Sequence, residues 1–502
     1  MKKLSIVWTM LVAVVLLASC GKKDAANLIP EDALWVMRLD VAKMQEQMGM
    51  NDDKSDFKDQ VKEIIDEMGL DKELREKVLD IIDDPTASGI DFTEPVYAYV
   101  SASRKDISGG VVGTMANEGD LTDLLNMALE EGNGNKELEE TDGVKYVIAK
   151  GAAFAYCADW FFVGPTKDIE ETIAELKERA DGKGNISGND AFQKMTQKDG
   201  LVQMLFLGEG VESVLSEREM KELKKALPDD VELKDIATLA DLVLGDGELL
   251  FTAEVLPLSD GMEDYIAKSD KMAKTIDKEQ AEYVSGHAFN VFLNFDAEEL
   301  FEAMVPTLKE MMGSDALAQV EEIAKTLDGT AAIEVYGIDD EGQPAVYAYV
   351  GTENNELLQT LLPNLGDSLV AFGDNQYLIP IMKYDWFSEQ YEQVSTAATG
   401  FQNGQTYYAA NPEFVMEAPD DPFPAKELKG KGIYMRFNFG CISDYAGQVG
   451  EEQAELIERI TDVYDYAELY YEGDGKSVLR ITTKSKKTNP VEALFKLLQE
   501  YI

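Results

Sequence analysis

The chain has 502 residues, of which 46 are Lys or Arg, 96 are Asp or Glu and one is His, giving a formal net charge of −50. Nucleic-acid binding needs clustered basic residues to displace counterions, so this charge balance excludes a nucleic acid as an expected partner. A composition with 45% hydrophobic and 28% charged residues excludes a disordered acidic tail, and the length predicts about two to four folded domains.

Residues 1–19 have the pattern of a bacterial signal peptide. A basic start is followed by an apolar run over residues 4–17, which as a helix is about 21 Å long and cannot cross a hydrocarbon core of about 30 Å. The run ends at Leu17-Ala18-Ser19-Cys20, which is similar to a lipobox. The similarity implies cleavage before Cys20 and lipid attachment to its thiol. An ordinary signal peptide followed by an incidental Cys is the alternative.

Lipid attachment at Cys20 would hold the mature chain at a membrane. Residues 20–27 then form a lipidated tether that reaches at most about 25 Å. No later stretch has about 18 uninterrupted apolar residues, so no membrane-spanning helix is expected. Gly21 stands where an Asp commonly retains lipoproteins at the inner membrane of two-membrane bacteria. The resemblance therefore favours the outer membrane and leaves periplasmic or surface exposure open.

The remaining chain consists of two halves that resemble each other when one is laid over the other. Four pairs of segments match in the same order: 36–40 with 292–296, 95–100 with 344–350, 200–208 with 432–440, and 245–247 with 473–475. These collinear matches predict a tandem duplication. We expect a first repeat over residues 28–258, a helical connector over 259–281, and a second repeat over 282–502.

Both halves combine strand and helix patterns. Asp246-Gly247 and Asp474-Gly475 stand between apolar runs, which is a strong signal for β-hairpins. Val320, Ile323 and Leu327 have the spacing of one helix face. Asn489-Pro490 opens a C-terminal helix, since Asn caps helices and Pro suits the first helical position. The predicted fold class is α+β, with two tandem related domains that each have an antiparallel sheet with hairpins and helices packed on one side.

The sequence contains little catalytic chemistry. His287 is the single histidine, which excludes a metal site with several histidine ligands. Residues 366–369 resemble the nucleophile block of GDSL-type esterases, but those enzymes place their catalytic His after the Ser, and none follows Ser368. Carboxylates are so numerous that no acid–base pair stands out. We therefore expect no enzyme, and a hydrolase is the least favoured alternative.

Metal ligands and disulfides are equally sparse. The acidic segments 52–56 and 417–421 offer oxygen atoms to calcium, but neither has the spacing of an EF-hand loop. A solvated acidic surface explains both, so no cofactor is expected and weak Ca²⁺ binding stays open. With Cys20 lipidated, Cys157 and Cys441 either form a disulfide or are simply buried.

Four aromatic residues are candidates for ligand contact. Tyr384, Trp386, Phe387 and Tyr391 lie in residues 381–403, a stretch without a clear counterpart in the first half. An insertion specific to one repeat can add a binding function to a duplicated scaffold. If exposed, these rings would stack on sugars or peptides, and if buried, they belong to the core.

A family resemblance rests on three features: the lipobox, the opening over residues 29–33 (Ile-Pro-Glu-Asp-Ala) that leads into a strand, and two related halves over about 500 residues. Together they resemble an uncharacterised family of Bacteroidetes lipoproteins, a domain family of unknown function. The resemblance implies an envelope location and lipid attachment at Cys20, and it supplies no catalytic residue. The resulting hypothesis is a lipid-anchored, non-enzymatic binding or assembly protein whose partner is an envelope protein, a peptide or a glycan. A glycan-capture surface lipoprotein is the alternative.

Overall fold

The structure, a computed structural model, describes part of the chain: residues 24–47, 62, 65–66, 70–103, 106–131, 137–227, 231–312, 314–338, 344–365, 369–385, 390–412, 419 and 422–499. Several predictions fall outside these ranges, namely those on the signal peptide, Cys20, residues 52–56, Ser368, Trp386, Phe387 and all of 417–421 except residue 419. The chain divides into two compact units, Met1–Asp264 and Tyr265–Ile502.

The described part of the first unit alternates strands with helices. Its strands are β1 (Ala33–Leu39), β2 (Ile90–Asp91), β3 (Val96–Ser103), β4 (Asp106–Met115), β5 (Glu139–Thr141), β6 (Val144–Ala149), β7 (Ala152–Tyr156), β8 (Trp160–Pro165), β9 (Val202–Leu207), β10 (Ile236–Gly245) and β11 (Glu248–Pro257). Its helices are α1 (Val41–Gln47), α2 (Lys72–Asp83), α3 (Glu118–Glu131), α4 (Ile169–Ala180), α5 (Asp190–Thr196), α6 (Gly208–Val214) and α7 (Glu217–Ala226), and α8 (Asp260–Met272) begins at its end.

The second unit has the same kind of element order. Its strands are β12 (Phe289–Asn294), β13 (Leu327–Ile338), β14 (Pro344–Thr352), β15 (Val370–Gly373), β16 (Gln376–Asp385), β17 (Gln390–Gln402), β18 (Gln405–Ala409), β19 (Ile433–Asn438), β20 (Tyr464–Gly473) and β21 (Lys476–Thr483). Its helices are α9 (Ala297–Met312), α10 (Ser314–Ala324), α11 (Glu356–Leu361), α12 (Glu451–Val463) and α13 (Pro490–Gln499).

The strands of each unit are joined by antiparallel pairing. In the first unit the order is β11, β10, β9, β1, β3, β4, β8, β7, β6, β5, and β2 pairs with the end of β4. In the second unit it is β21, β20, β19, β12, β13, β14, β18, β17, β16, β15. The two orders correspond strand for strand. The expected α+β class, with helices and antiparallel sheet, is confirmed.

One of the four sequence matches between the halves is wrong at the level of strands. Residues 96–100 of this match lie in β3, which pairs with the first strand of its unit, β1. Residues 344–350 lie in β14, whereas the strand beside β12 is β13. Alternating Val, Ala and Tyr is typical of any half-buried strand, so neighbouring strands of one sheet carry similar letters. The other three matches fall on β1 with β12, β9 with β19, and the β10–β11 turn with the β20–β21 turn.

Two predicted boundaries are also corrected. Ala25–Leu28 forms a 3-10 turn capped by Asp24, and Ala25, Ala26 and Leu28 are buried in the core of the first unit. Burial of these apolar side chains is favourable, and they would be exposed to water in an extended tether. The folded body therefore begins before residue 28. The predicted helix stripe ending at Leu327 is wrong at that residue, which opens β13 after α10 has ended at Ala324.

Local turn and cap signals gave correct predictions. Asp474 and Gly475 have φ of 51° and 70° at the β20–β21 hairpin, the left-handed conformation that suits Asp-Gly turns. Asn489 Oδ1 accepts hydrogen bonds from the N–H groups of Val491 and Glu492 at 2.9 and 3.2 Å, so it caps α13 as expected.

Candidate functional site

The second unit contains a cavity of about 510 Å³. The described residues of its lining have aliphatic, aromatic and hydroxyl side chains, and none of them is Asp, Glu, Lys, Arg or His. The lining residues are Val291, Leu293, Phe295, Ala331, Ala332, Ile333, Ala348, Tyr349, Val350, Leu357, Leu361, Leu365, Ile379, Thr399, Thr406, Tyr407 and Tyr408. An apolar lining with a few hydroxyl groups is typical of small-molecule sites.

The floor of the cavity is one face of the second sheet. Cross-strand pairing places Val291, Ile333, Ala348, Tyr408 and Thr399 in one row across five adjacent strands. Because side chains alternate between the faces of a strand, these residues all point to the same side. A second row two residues along each strand adds four further lining residues: Leu293, Ala331, Val350 and Thr406.

The short helix α11 closes part of the cavity from above. Its Leu357 lines the cavity and is buried, whereas Leu361 and the following Leu365 also line the cavity and are 40% and 38% exposed. On the floor, Ile333 is 42% exposed. The cavity therefore opens to solvent through an apolar rim.

The first unit fills the corresponding space with its own side chains. There α3 has 14 residues, compared with six in α11, and its Leu121, Leu124 and Leu125 are buried. These leucines belong to one core cluster with Phe154 and Phe161 of β7 and β8. The equivalent strands of the second unit, β17 and β18, contribute Thr399 and Thr406 to the cavity instead. The cavity thus results from a shorter helix and smaller strand residues.

The opposite face of the second sheet carries a row of polar side chains. Cross-strand pairs join them in an unbroken series over six strands: Tyr347, Glu334, Asn290, Arg436, Glu468 and Arg480. Glu334, Asn290 and Glu468 are each at most 4% exposed. Two separate chemical environments therefore lie on the two faces of this sheet.

Glu468 is the centre of the charged part of this row. Its carboxylate accepts hydrogen bonds from the Tyr434 hydroxyl at 2.6 Å and from Arg480 Nη1 at 2.8 Å, and Lys431 Nζ lies 3.6 Å away. Lys431 Nζ also lies 3.8 Å from the centre of the Tyr470 ring. Burial lowers the pKa of Lys431, and burial, with the Glu468 charge beside it, raises the pKa of Tyr434. The negative charge of Glu468 is therefore compensated by the positive charges of Arg480 and Lys431 within the network.

His287 lies in a cluster with Ser285 and Glu334. The Ser285 hydroxyl contacts both His287 Nδ1 and Glu334 Oε1, and the Ser285 N–H donates to Glu334 Oε2 at 2.9 Å. The His287 side chain is 66% exposed and its Nδ1 lies 3.9 Å from Glu334 Oε1. The hydroxyl lies between the imidazole and the carboxylate, whereas in a catalytic triad the imidazole lies between the other two.

Two of the four candidate aromatic residues lie on the β16–β17 hairpin, and Tyr391 is not among the described residues that line the cavity. Tyr384 of β16 and Tyr391 of β17 are directly opposite each other, and Tyr391 is 67% exposed. The strand pairing thus places these two positions opposite each other, and the Tyr391 ring is exposed. The other two candidates, Trp386 and Phe387, are outside the described ranges.

The remaining expectations concern metals, disulfides and membrane spans. Within the described ranges, no group of three or more His, Cys, Asp and Glu side chains is placed to hold a metal ion. Neither Cys157 nor Cys441 is in a disulfide, and burial raises the pKa of the Cys157 thiol. In the part of the chain that the structure describes, no helix is both long enough and apolar enough to cross a membrane.

Sequence reasoning missed the cavity. A weak signal was present, because small residues occupy inward positions of the central strands, for example Ala331 in β13 and Ala348 in β14. Each strand nevertheless has the alternation of an ordinary half-buried strand. The shortness of α11, six residues long, was the other signal.

Comparisons with known proteins give three findings. Solved structures of TP0453, in crystal forms I and III, are similar to this chain with 12% and 11% sequence identity and TM-scores of 0.27 and 0.28. The alignments cover 50% and 49% of this chain and 86% and 87% of theirs. A comparison with curated proteins finds no match. Residues 25–415 match the sequence profile of DUF4836, a domain of unknown function, and the chain therefore belongs to that family.

Proposed function

We propose that this chain is a non-enzymatic binding protein of the bacterial envelope and that it holds an apolar small molecule in the cavity of its second unit. The cavity carries the proposal. Its volume of about 510 Å³ falls in the range of about 300–1,000 Å³ in which proteins bind small molecules. Protein interiors are otherwise close-packed, because unfilled space forfeits dispersion contacts.

The exposed apolar side chains of the cavity support the same ligand class. Ile333, Leu361 and Tyr408 are 40–42% exposed although they line the cavity. An apolar ligand would cover these side chains and remove apolar surface from water, which is the main source of binding free energy for such molecules. Among the described residues of the lining, a charged ligand would find no charged side chain to compensate its desolvation.

The envelope location is supported by the N-terminal sequence. Leu17-Ala18-Ser19-Cys20 is the lipobox-like segment, and Gly21 favours the outer membrane, with periplasmic or surface exposure. The resemblance to Bacteroidetes lipoproteins supports the same assignment. The corresponding strand orders of the two units support tandem duplication of one α+β domain. Changing Cys20 to Ala should abolish incorporation of a labelled fatty acid into the protein, and retained labelling would contradict lipid attachment at this residue.

The absence of catalysis is part of the proposal, and the geometry of the single histidine supports it. Glu334 is engaged by the N–H and the hydroxyl of Ser285 and lies 3.9 Å from His287 Nδ1. The Ser285 hydroxyl therefore lies between the imidazole and the carboxylate. In a catalytic triad the carboxylate instead orients the imidazole, which lies between the carboxylate and the nucleophile. Turnover of a broad ester panel that disappears in Ser285→Ala would contradict a purely binding role.

The test of the binding function uses the mature chain from Cys20, made without its signal peptide, and the uncharged probe N-phenylnaphthylamine. Its fluorescence should rise on binding and saturate near one probe per chain. Ala348→Trp places an indole on the cavity floor and should abolish the signal. If that variant does not fold, Ala331→Leu fills less of the space and should weaken binding.

The matched control introduces the same ring away from the cavity. Ile107 lies on β4 of the first unit and is 72% exposed, so Ile107→Trp should bind the probe like the unchanged chain. Equal probe binding by the Ala348→Trp and Ile107→Trp variants would contradict ligand binding in the cavity.

Glycan binding is the second candidate, favoured by the exposure of Tyr391. An aromatic ring that is 67% exposed on a hairpin can stack against a sugar. Binding to a glycan array that disappears in Tyr391→Ala and persists in Ala348→Trp would assign the function to the hairpin instead of the cavity.

A further inference from the structure

The polar face of the second sheet carries an arginine that has no carboxylate partner among the described residues. Arg436 of β19 stands in the row of polar side chains, directly opposite Asn290 of β12 on one side and Glu468 of β20 on the other. The chain has 96 acidic and 46 basic residues, so an arginine has many acids to pair with. Arg480 in the same row does so, since its Nη1 lies 2.8 Å from Glu468.

Neither neighbour in the row compensates the Arg436 charge. Glu468 is already balanced by Arg480 and Lys431. Asn290 is neutral and fully buried, and neither its amide nitrogen nor its amide oxygen has a hydrogen-bond partner among the described residues. Buried polar groups of native proteins are nearly always paired, so an incomplete polar network marks a place where a further group belongs.

The described contacts of the guanidinium are with neutral groups, and they fix its orientation. Arg436 Nε donates to Asn438 Oδ1 at 2.9 Å, and Arg436 Cζ lies 3.7 Å from the centre of the Tyr466 ring. The Phe423 ring is 5.6 Å away, and the Tyr434 hydroxyl is also near. Stacking holds the plane of a guanidinium in place, which prepares its Nη groups for bidentate contact with a planar oxyanion.

The guanidinium lies beside an exposed part of the surface. Arg436 itself is partly exposed. Asn438, which accepts from Arg436, also donates to the carbonyl of His287, and the His287 side chain is 66% exposed. A small ligand can therefore approach the guanidinium on the sheet face opposite the cavity.

The charges of the row restrict the ligand. Arg436 is a single cation, whereas Glu334 and Glu468 place two negative charges in the same row. A singly charged carboxylate would compensate the guanidinium, and a doubly charged phosphate would add a second negative charge close to the two glutamates. We propose that Arg436 binds the carboxylate of a small organic acid or of a peptide C-terminus, at a second site that is separate from the cavity.

The test titrates the mature, unlipidated chain with benzoate and with benzamide, which has nearly the same shape without the charge, and follows binding by nuclear magnetic resonance. Benzoate should bind at least about tenfold more tightly than benzamide. Arg436→Gln should remove this difference. Arg218→Gln is the matched control, because it removes the same charge from an exposed position of α7, and it should retain the difference. Equal losses in the two variants would overturn the inference.

Further variants separate this site from the cavity and from a loss of folding. Ala348→Trp should retain benzoate binding, and Arg436→Gln should retain N-phenylnaphthylamine binding, so that either site can fail without the other. If Arg436→Gln does not fold, Arg436→Lys keeps the charge and removes the planar fork, and it should bind benzoate at least about fivefold more weakly. Benzoate binding that is lost in Ala348→Trp, or unchanged in Arg436→Lys, would contradict a carboxylate site at Arg436.

A second set of ligands tests the charge and identifies the source of the carboxylate. Phenyl phosphate, doubly charged at about pH 8, should bind more weakly than benzoate, and tighter binding would overturn the assignment of a singly charged ligand. A tripeptide with a free C-terminus that binds more tightly than benzoate, while its C-terminal amide does not bind, would assign peptide C-termini. A tripeptide that binds more weakly than benzoate would assign small organic acids.

Discussion

Glu468 is a buried carboxylate whose charge is balanced by two cations. Its side chain is inaccessible to solvent, Arg480 lies 2.8 Å away and Lys431 3.6 Å away. Removing one member of a buried ion pair is strongly destabilising, because the remaining charges stay buried without compensation. Glu468 therefore stabilises the second unit, because its removal would leave two positive charges without their counter-charge.

We expect Glu468→Gln to lower the free energy of unfolding by about 3 kcal/mol, since the partly buried Lys431 and Arg480 would lose their counter-charge. Urea unfolding followed by circular dichroism measures this. The control is Glu472→Gln, which removes a partly exposed pair with Lys476 at 2.7 Å and should cost at most about 1 kcal/mol. Equal losses in the two variants would show that the buried network contributes no more than a surface pair.

At the scale of secondary-structure elements, packing explains why the corresponding face of the first sheet is filled by side chains. In the first unit β4 and β8 bring Gly113 directly opposite Phe161, and the aromatic ring covers the glycine. A Cβ at Gly113 would lie 2.3 Å from Phe161 Cε1. The fully buried Phe161 ring then packs in the same cluster as the leucines of α3. Position 113 therefore requires glycine, because the Phe161 ring occupies the space that a side chain would need.

Gly113→Ala should lower the free energy of unfolding by about 1–3 kcal/mol, because the added methyl group overpacks the core against Phe161. Thermal and urea unfolding of the purified chain measure the loss. Gly188→Ala is the matched control: nothing lies within 4 Å of a Cβ there, so its effect should stay within about 0.5 kcal/mol. A neutral Gly113→Ala would mean that the ring moves aside at little cost.

The secondary-structure elements also differ in how well the sequence predicts them. Asn489 and Asp474-Gly475 gave correct predictions because caps and tight turns depend on a few consecutive residues. The match of residues 95–100 with 344–350 failed because the alternation of a strand does not encode which strand pairs with it. The length of α11, which decides whether the sheet face is filled, was not predicted.

At the scale of the whole molecule, buried tyrosines and the acidic charge govern the response to alkali. Burial raises the pKa of Tyr336, Tyr407 and Tyr471 to about 12 from the ordinary value of 10.0. In the unfolded chain these groups lose their protons near pH 10, whereas the folded chain keeps them until about pH 12. Their contribution to stability is therefore complete below pH 10 and is lost as the pH rises from 10 through 12. The net charge of −50 adds self-repulsion.

The free energy of unfolding should fall between pH 10 and pH 12, and each such tyrosine should contribute a slope of about 1.4 kcal/mol per pH unit. Urea titrations at a series of alkaline pH values measure the slope. Tyr407→Phe should reduce it by about that amount. At pH 7 the same variant should change stability little, because within the described residues the Tyr407 hydroxyl is buried without a hydrogen-bond partner. An unchanged alkaline slope in Tyr407→Phe would contradict the assigned role of this group.

The sequence by itself determined the acidic charge, the α+β class, the hairpin turns and the C-terminal helix cap, because each depends on composition or on residues that are close in the chain. Only the tertiary structure decided the order of the strands, the polar row on one sheet face and the cavity on the other. The floor of the cavity joins residues from Val291 to Tyr408, and each of its strands has the pattern of an ordinary core strand. A cavity is a shortage of packing between elements that are distant in sequence, and it becomes defined only when those elements are brought together.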